Sequence, residues 1–253
     1  MRGGNVSRRL SCYLRRGATI GLMHPTNTDP GPDSTPTVED YLLAIASFEY
    51  EHMPVIAARL AERLGVSAPT VSATVKRMVR DGWIEVQSGN LIELTDSGRT
   101  RADRIVRRHR LIERWLQDQL GLEWSALHEE ADRLEHAISQ RLEERISAAL
   151  GHPETCPHGN PIPGNVRTWS REGLWQLSQV PVGTVVEVRR ISELIEEQTD
   201  LLSFIQDSGL IPGNPVRVAD RSRGGMMDVR VSDSYVQVGE NVGRYIWVMP
   251  TKA

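Results

Sequence analysis

The 253-residue chain carries a formal net charge of −3, with 25% charged and 39% hydrophobic residues. That composition is globular, allows two or three small domains, and excludes a polycation that coats nucleic acid indiscriminately. Two cysteines, Cys12 and Cys156, cannot build a disulfide framework, and no apolar run approaches the roughly 18 residues of a membrane span, so a reducing cytoplasm is expected.

Residues 1–36 read as a disordered tail. The first 28 residues hold no acid and carry Arg2, Arg8, Arg9, Arg15 and Arg16, which resembles a targeting segment, yet no apolar stretch follows. "HPTNTDPGPDSTP" is a Pro-, Asp- and Thr-rich linker. Met23 is an alternative start.

Residues 37–98 predict a winged helix-turn-helix. Val38, Leu42, Ile45 and Phe48 form the stripe of a first helix capped at Thr37. A second helix follows Pro54 and ends at Gly65; a short turn leads to Ser67 as cap and Pro69 in the first turn of a third helix. That helix is expected to bury Val71, Val75, Met78 and Val79. Ala73, Lys76, Arg77 and Arg80 then face outward, flanked by Thr70, Ser72 and Thr74. Small, hydroxylic and cationic side chains with no acid from Ser67 to Arg80 suit a major groove, where short residues permit close approach and cations meet phosphate. "WIEVQ" and "LIELT", joined by "SGN", predict a hairpin. Many helical proteins contain two helices joined by a glycine turn, but the acid-free face and the adjacent hairpin favour DNA.

Residues 99–151 predict a helical domain for dimerisation and metal binding. Its first helix starts near Asp96 or Ser97 and carries an arginine run from Arg99 to Arg110, either a solvated face or a phosphate contact. His109 and Glu113 sit at i, i+4 beside its apolar stripe. Gly121 breaks the helix, and "HEEADRLEH" (128–136) follows in an antiparallel partner. There His128, Asp132, Glu135 and His136 share one face next to Leu127, Ala131, Leu134 and Ile138. Half-buried imidazoles and carboxylates are costly unless compensated, which a divalent cation would do. A solvated face of i, i+4 pairs would show the same spacing. Across the pair, His109 and Glu113 can face His128. The helix is expected to continue to Leu150 with Ala137, Ile138, Leu142, Ile146 and Leu150 as a dimer seam.

Residues 152–179 are a proline-rich linker that opens in "GHPETCPHGNPIPG" (151–164), where Cys156 and His158 are spaced like weak metal ligands. Residues 180–253 predict a small β-barrel of short alternating strands with one helix inserted, "SELIEEQTDLLSFIQDSG".

Taken together, "VEDYLLAI", "LAERLGVSAPTVSATVKRMVRDG", "LTDSGR", "RRHRLIERWL", "HEEADRLEH" and "HGNPIPG" resemble, in order over residues 37–253, the metal-dependent repressors of the diphtheria-toxin-repressor and manganese-transport-regulator type. The resemblance implies a mainly α fold with β: an N-terminal winged helix-turn-helix, a helical dimerisation and metal domain, and a C-terminal SH3-like, FeoA-like β-barrel. It implies a principal metal site on Asp40, Asp132, Glu135 and His136 and a second on His109, Glu113 and His128. Iron-responsive relatives carry methionine and cysteine where this chain has Asp40 and Asp132, whereas manganese-responsive ones carry carboxylates; hard oxygen donors suit Mn²⁺, with Fe²⁺ the alternative. Leu43 stands where short manganese regulators have a further glutamate, which argues against a bridged two-metal core. In longer relatives the SH3-like domain lends a glutamate and a glutamine to the second site; the aligned positions here are Gln198 and Leu201, which leaves Gln198, or neighbouring Glu197, as a weak ligand.

The implied function is a repressor of metal-homeostasis genes that grips a double-stranded palindromic operator as a homodimer when metal-loaded, with a second dimer per operator as a further expectation. Ser67 and Pro69 are expected at base edges or thymine methyls; Thr70, Ser72 and Lys76 at phosphate, beside Ala73 and Arg77. A metal hydrolase would need an open coordination position with a nearby base, and "HEEADRLEH" lacks the H-E-x-x-H spacing. A purely structural helical dimer would leave the winged helix without a role.

Overall fold

The computed structural model describes residues 35–166, 173–196 and 198–251; the expected tail and Glu197 lie outside them. Helices α1 (Pro36–Tyr50), α2 (Ala57–Arg63) and α3 (Ala68–Arg80) open the fold. Thr35, not Thr37, is the residue before α1, because Pro36 needs no N–H partner in a first turn. Gly65 (φ +62°) reverses the chain after α2, and the Ser67 hydroxyl accepts from Thr70 N at 3.4 Å to cap α3.

The buried stripe of α3 is Val71, Thr74 and Met78, while Val79 is 42% exposed and Val75 only partly covered. The helix is therefore rotated from the expected setting: the narrow contact with the rest of the bundle takes the 71–74–78 ridge and leaves Val79 beyond its edge. Strands β1 (Ile84–Val86) and β2 (Ile92–Leu94) form the antiparallel wing, with Ile84 opposite Leu94. Helix α4 (Asp96–Leu120) starts directly after it, and Gly98 is obligatory there because a Cβ would lie 1.8 Å from Trp83 O.

Helix α4 serves two cores. Ala102, Ile105 and Val106 join the cluster formed by α1, α3 and the wing; Leu111, Ile112 and Leu116 join the second, C-terminal cluster. Most of the arginine run is engaged within the fold, with Arg104 exposed. Arg99 pairs with Glu49, Arg107 binds Glu143, Ser147 Oγ, Asn165 and Pro163 O, Arg108 reaches Glu135 O, and Arg110 is fully buried against Glu193.

The partner helix is not continuous to Leu150. Helix α5 (Leu127–Glu135) stops, Ser139 takes an extended conformation, and its hydroxyl accepts from Leu142 N to cap α6 (Gln140–Ala149). The expected seam divides accordingly: Ile138 and Ile146 enter the second core, whereas Leu142 is 48% exposed and Ala137 is exposed. The following proline-rich stretch has no regular structure, yet it is a buried strap: Cys156, His158, Asn160 and Ile162 are all inaccessible. Gly159 (φ +84°) allows its close approach to Arg189, whose carbonyl would lie 2.1 Å from a Cβ.

The C-terminal part contains β3 (Trp175–Gln176), β4 (Val185–Ile191), α7 (Thr199–Asp207), β5 (Pro215–Arg221), β6 (Met226–Val231), β7 (Ser234–Gly239), α8 (Glu240–Gly243) and β8 (Ile246–Pro250). Its antiparallel sheet has the order β3-β8-β4-β5-β6-β7. A register shift between Val188 and Arg190 breaks the alternation of β4: Arg190 pairs with Trp247 on the face opposite Val188, buried against Asn160 and Glu51, and Ile191 returns to the core, the re-aiming usual for a bulge. The single inserted helix expected over 192–209 is instead a 3-10 turn, Glu193–Ile195, followed by α7.

Candidate metal centre and nucleic-acid interface

Helix α4 presents His109 and Glu113 on one buried face, with His109 Nε2 3.4 Å from Glu113 Oε1. From α5, His128 Nδ1 comes within 3.0 Å of His109 Nε2 and 3.9 Å of Glu113. The fourth member was not foreseen: Glu196 Oε2, after the 3-10 turn, lies 3.3 Å from His128 Nδ1. One donor atom from each of these four lies within 4.8 Å of the others. Gln198 instead lines a groove with Phe48, Arg59, Leu194 and Tyr245.

A second set joins α1 to the end of α5. His136 Nε2 is 3.0 Å from Asp40 Oδ1 and 3.5 Å from Glu135 Oε1, and the three residues again bring donor atoms within 4.8 Å. Glu39, also missed, holds His136 Nδ1 at 2.7 Å. Asp132 is not gathered into either set; it is exposed and borders a cleft with Ser125, His128, Glu129, Glu196 and Thr199. His136, the cap of α5, points to α1, while His128 points to α4.

A third set, Glu113, Cys156 and His158, is fully buried and shares Glu113 with the first. His158 Nδ1 is 3.1 Å from Glu113 Oε1 and 3.5 Å from Glu196 Oε1; its Nε2 donates to Trp124 O at 3.2 Å.

Burial works against charge throughout, and close partners overcome it. Desolvation alone would depress His109, but hydrogen bonds to Glu113 and Glu135 hold it well above the usual imidazole range. His158 is likewise desolvated yet raised to about 9 by Glu113 and Glu196. Glu113 is held well below the carboxylate range despite its burial, by His158 and His109. Burial pushes the Cys156 thiol well up, with Glu113 and Glu196 adding to it. Burial also raises Asp40, with His136 opposing and Asp132 and Glu135 reinforcing.

The donor chemistry fits a divalent cation. Imidazole nitrogens and carboxylate oxygens are clustered, mostly buried around His109 and Glu113 and half-buried around Asp40 and His136, and buried Glu135 Oε1 has no hydrogen-bond partner among the described residues. An unsatisfied buried carboxylate oxygen is costly unless something is meant to sit against it.

On α3, Ser67, Pro69, Thr70, Ser72, Ala73 and Lys76 are exposed, and Arg77 is partly covered. No acid lies between Ser67 and Arg80. A winged helix-turn-helix with an acid-free reading helix, mounted on a spine that also carries buried imidazole–carboxylate clusters, defines a metal-responsive DNA-binding regulator.

Comparison with known proteins agrees. Residues 33–89 match the model of the iron dependent repressor, N-terminal DNA binding domain; residues 95–164 that of the iron dependent repressor, metal binding and dimerisation domain; residues 175–250 that of the FeoA domain. The chain is 40% identical to the iron-dependent repressor IdeR of Mycobacterium bovis over 75% of its length and 86% of that protein. It is 36% identical to the diphtheria toxin repressor of Corynebacterium diphtheriae over 75% and 87%. Among solved structures, a manganese-dependent transcriptional repressor in complex with manganese superposes with a TM-score of 0.76 at 36% identity, covering 84% of this chain and 99% of that one. The manganese regulator SloR superposes with a TM-score of 0.70 at 28% identity, covering 86% and 100%. The chain belongs to the family of iron- and manganese-dependent DNA-binding repressors that includes the diphtheria toxin repressor.

Proposed function

We propose that the protein is a cytoplasmic, manganese-responsive repressor of metal-homeostasis genes, acting as a homodimer on a palindromic operator. The carrying observation is the junction of α1 and α5, where Asp40 and Glu135 converge on His136. Its donors are oxygen and imidazole nitrogen, a set that suits Mn²⁺ better than softer metals.

Asp40, Glu135 and His136 would hold one cation; His109, Glu113, His128 and Glu196 a second, with Cys156 and His158 beside it. When bound, the cation supplies charge neutralisation and a cross-link among carboxylates that otherwise repel. In its absence the raised imidazoles do that work as protonated partners: His109 holds Glu135 at 2.6 Å and His158 holds Glu113 at 3.1 Å. Metal uptake is thus an exchange of protons for cation inside a preformed donor set. Because Asp40 stands on α1 of the DNA-reading unit and Glu135 on α5, the exchange sets the angle of α3. A shift from mostly off to mostly on needs about 5.5 kcal/mol of preference; micromolar affinity corresponds to about 8 kcal/mol, so one or two sites suffice. Two α3 helices about 34 Å apart in a dimer would read successive major grooves, with Ser67 and Pro69 at base edges and Thr70, Ser72 and Lys76 at phosphates. A second dimer on the same operator belongs to this proposal.

The iron(II) alternative has one specific support: the buried Cys156 thiol beside Glu113 is a soft donor. Fluorescence polarisation with a duplex enriched from a random library, titrated anaerobically with Mn²⁺, Fe²⁺ or chelator, tests the proposal. Binding that ignores chelator defeats it; a response to Fe²⁺ alone selects the alternative.

A further inference from the structure

The last turn of α1 is held by the C-terminal domain at two points, and both lead back to Glu196. The first runs through the 3-10 turn. Glu193, buried, accepts Arg110 Nε on Oε1 at 2.6 Å and the Ser47 hydroxyl on Oε2 at 2.9 Å. Glu196 closes the same turn, its N–H bonded to Glu193 O at 3.2 Å and Ile195 N to Ser192 O at 3.2 Å, so the two carboxylates belong to one small hydrogen-bonded unit. The second path crosses the strap. Glu196 Oε1 accepts from Asn160 Nδ2 at 2.9 Å, Asn160 Oδ1 accepts from Arg190 Nη1 at 3.0 Å, and the same Nη1 lies 2.7 Å from Glu51 Oε1.

Ser47 and Glu51 are one helical turn apart, at the exit of α1 into the helix-turn-helix. The start of α1 carries Asp40 and Glu39, held by His136. Helix α1 is therefore gripped at both ends by groups that belong to the donor sets or are linked to them by hydrogen bonds. The bulge that carries Arg190 off the core face to Asn160 and Glu51, and the wholly polar character of both paths, are costly for mere adhesion, which apolar packing supplies without desolvating charge.

We infer that Glu193 and Arg190 are positioning residues through which the C-terminal domain relays occupancy of the centre containing Glu196 to the last turn of α1. Metal affinity and operator affinity are then coupled through this domain in addition to Asp40. The inference rests on the reading of that centre as a metal site. Coupling between two sites is reciprocal: the factor by which metal tightens DNA equals that by which DNA tightens metal.

The test measures that factor in the full chain from both directions. Mn²⁺ affinity is read by competition with a fluorescent chelator, without and with saturating duplex enriched by the wild-type protein from a random library. Ser47→Ala alone and Ser47→Ala with Glu51→Gln cut the paths on the α1 side, away from every donor residue. The expected result is Mn²⁺ affinity within about two-fold of wild type in DNA-free protein, and a coupling factor at least about five-fold smaller in the double variant. Ser47→Thr, which keeps the hydroxyl, should retain it. Hydrogen exchange gives a DNA-free readout: Mn²⁺ slows exchange at residues 48–53 in the wild type and not in the double variant. An unchanged coupling factor with Mn²⁺ protection intact overturns the inference, as does loss of Mn²⁺ affinity with coupling retained. Wild-type protein that binds no Mn²⁺ overturns the metal reading itself and the inference with it.

Discussion

His109 Nδ1 lies 2.6 Å from Glu135 Oε2 while its Nε2 lies 3.0 Å from His128 Nδ1. One imidazole thus touches both donor sets, the one that reaches α1 and the one that reaches the C-terminal domain. Glu135→Gln removes the charge on one side of this contact. We expect Mn²⁺ affinity to fall by about ten-fold or more, since a charge-assisted contact in a buried site is worth about 1.5–3 kcal/mol. Calorimetric titration should show weakening of both binding events rather than one. Two wild-type-like isotherms would remove Glu135 from the centre.

The exposed reading helix makes a separate claim. Lys76 is exposed on α3, in a face without acids, and its proposed partner is phosphate. Lys76→Ala should weaken Mn²⁺-dependent binding to all duplexes alike and lower the slope of log affinity against log salt by about 1. Ser72→Glu, which places an anion on the same surface, should weaken it further. An unaltered salt slope for Lys76→Ala would take this lysine off the backbone.

Much of this was legible because it is local. The Ser67 cap, the Gly65 turn and the alternation of the wing are written within a few residues of where they act, and α3 required only a small rotation that places Thr74 rather than Val79 inside. His109, Glu113 and His128 could be brought together from helix spacing alone once two helices packed as neighbours. What was missed depended on long-range packing or on irregular backbone. Glu196 follows a 3-10 turn whose position no periodicity fixes, and resemblance pointed two residues downstream to Gln198. Cys156 and His158, read only as weakly spaced ligands, lie in a strap without period, where His158 packs on Trp124 and Gly159 closely approaches Arg189. The break before α6 had a readable signal in Ser139, a cap that the apolar spacing on either side concealed.

The pH dependence follows from groups whose values are displaced. His158 sits at about 9 in the folded chain, above the roughly 6.5 of an unfolded imidazole. Its contribution to metal-free stability is complete below about pH 6.5 and is lost as pH rises through about 9. Glu113 is held well below its ordinary value, so its contribution is present above about pH 4.5 and lost in acid. Melting of chelator-treated protein should therefore be highest between about pH 4.5 and 6.5 and decline toward 9. Metal uptake has the opposite slope, because the imidazoles must lose protons to bind: Mn²⁺-induced stabilisation should grow over the same range, with proton release visible in buffers of different ionisation enthalpy. Stabilisation independent of pH between about 6.5 and 8.5 would contradict proton-for-metal exchange.

Asp132 offers the sharpest separation between resemblance and geometry. The resemblance sets it in the principal site with Asp40; its carboxylate is exposed at a cleft beside His128 and Glu196, outside both donor sets, and its charge helps to raise the pKa of Asp40. Asp40→Met with Asp132→Cys replaces two hard donors by soft ones and should move the response from Mn²⁺ toward Fe²⁺ if both residues ligate. The comparison that decides is with Asp40→Met alone, each titrated anaerobically with the two metals against the same duplex. If Asp132 stays exposed at the cleft, the single and double variants respond alike, and Asp132→Ala leaves Mn²⁺ affinity within about three-fold of wild type, the scale of a screened surface charge. If metal draws Asp132 inward, the double variant alone gains Fe²⁺ preference, and Asp132→Ala loses metal-dependent DNA binding as completely as Asp40→Ala.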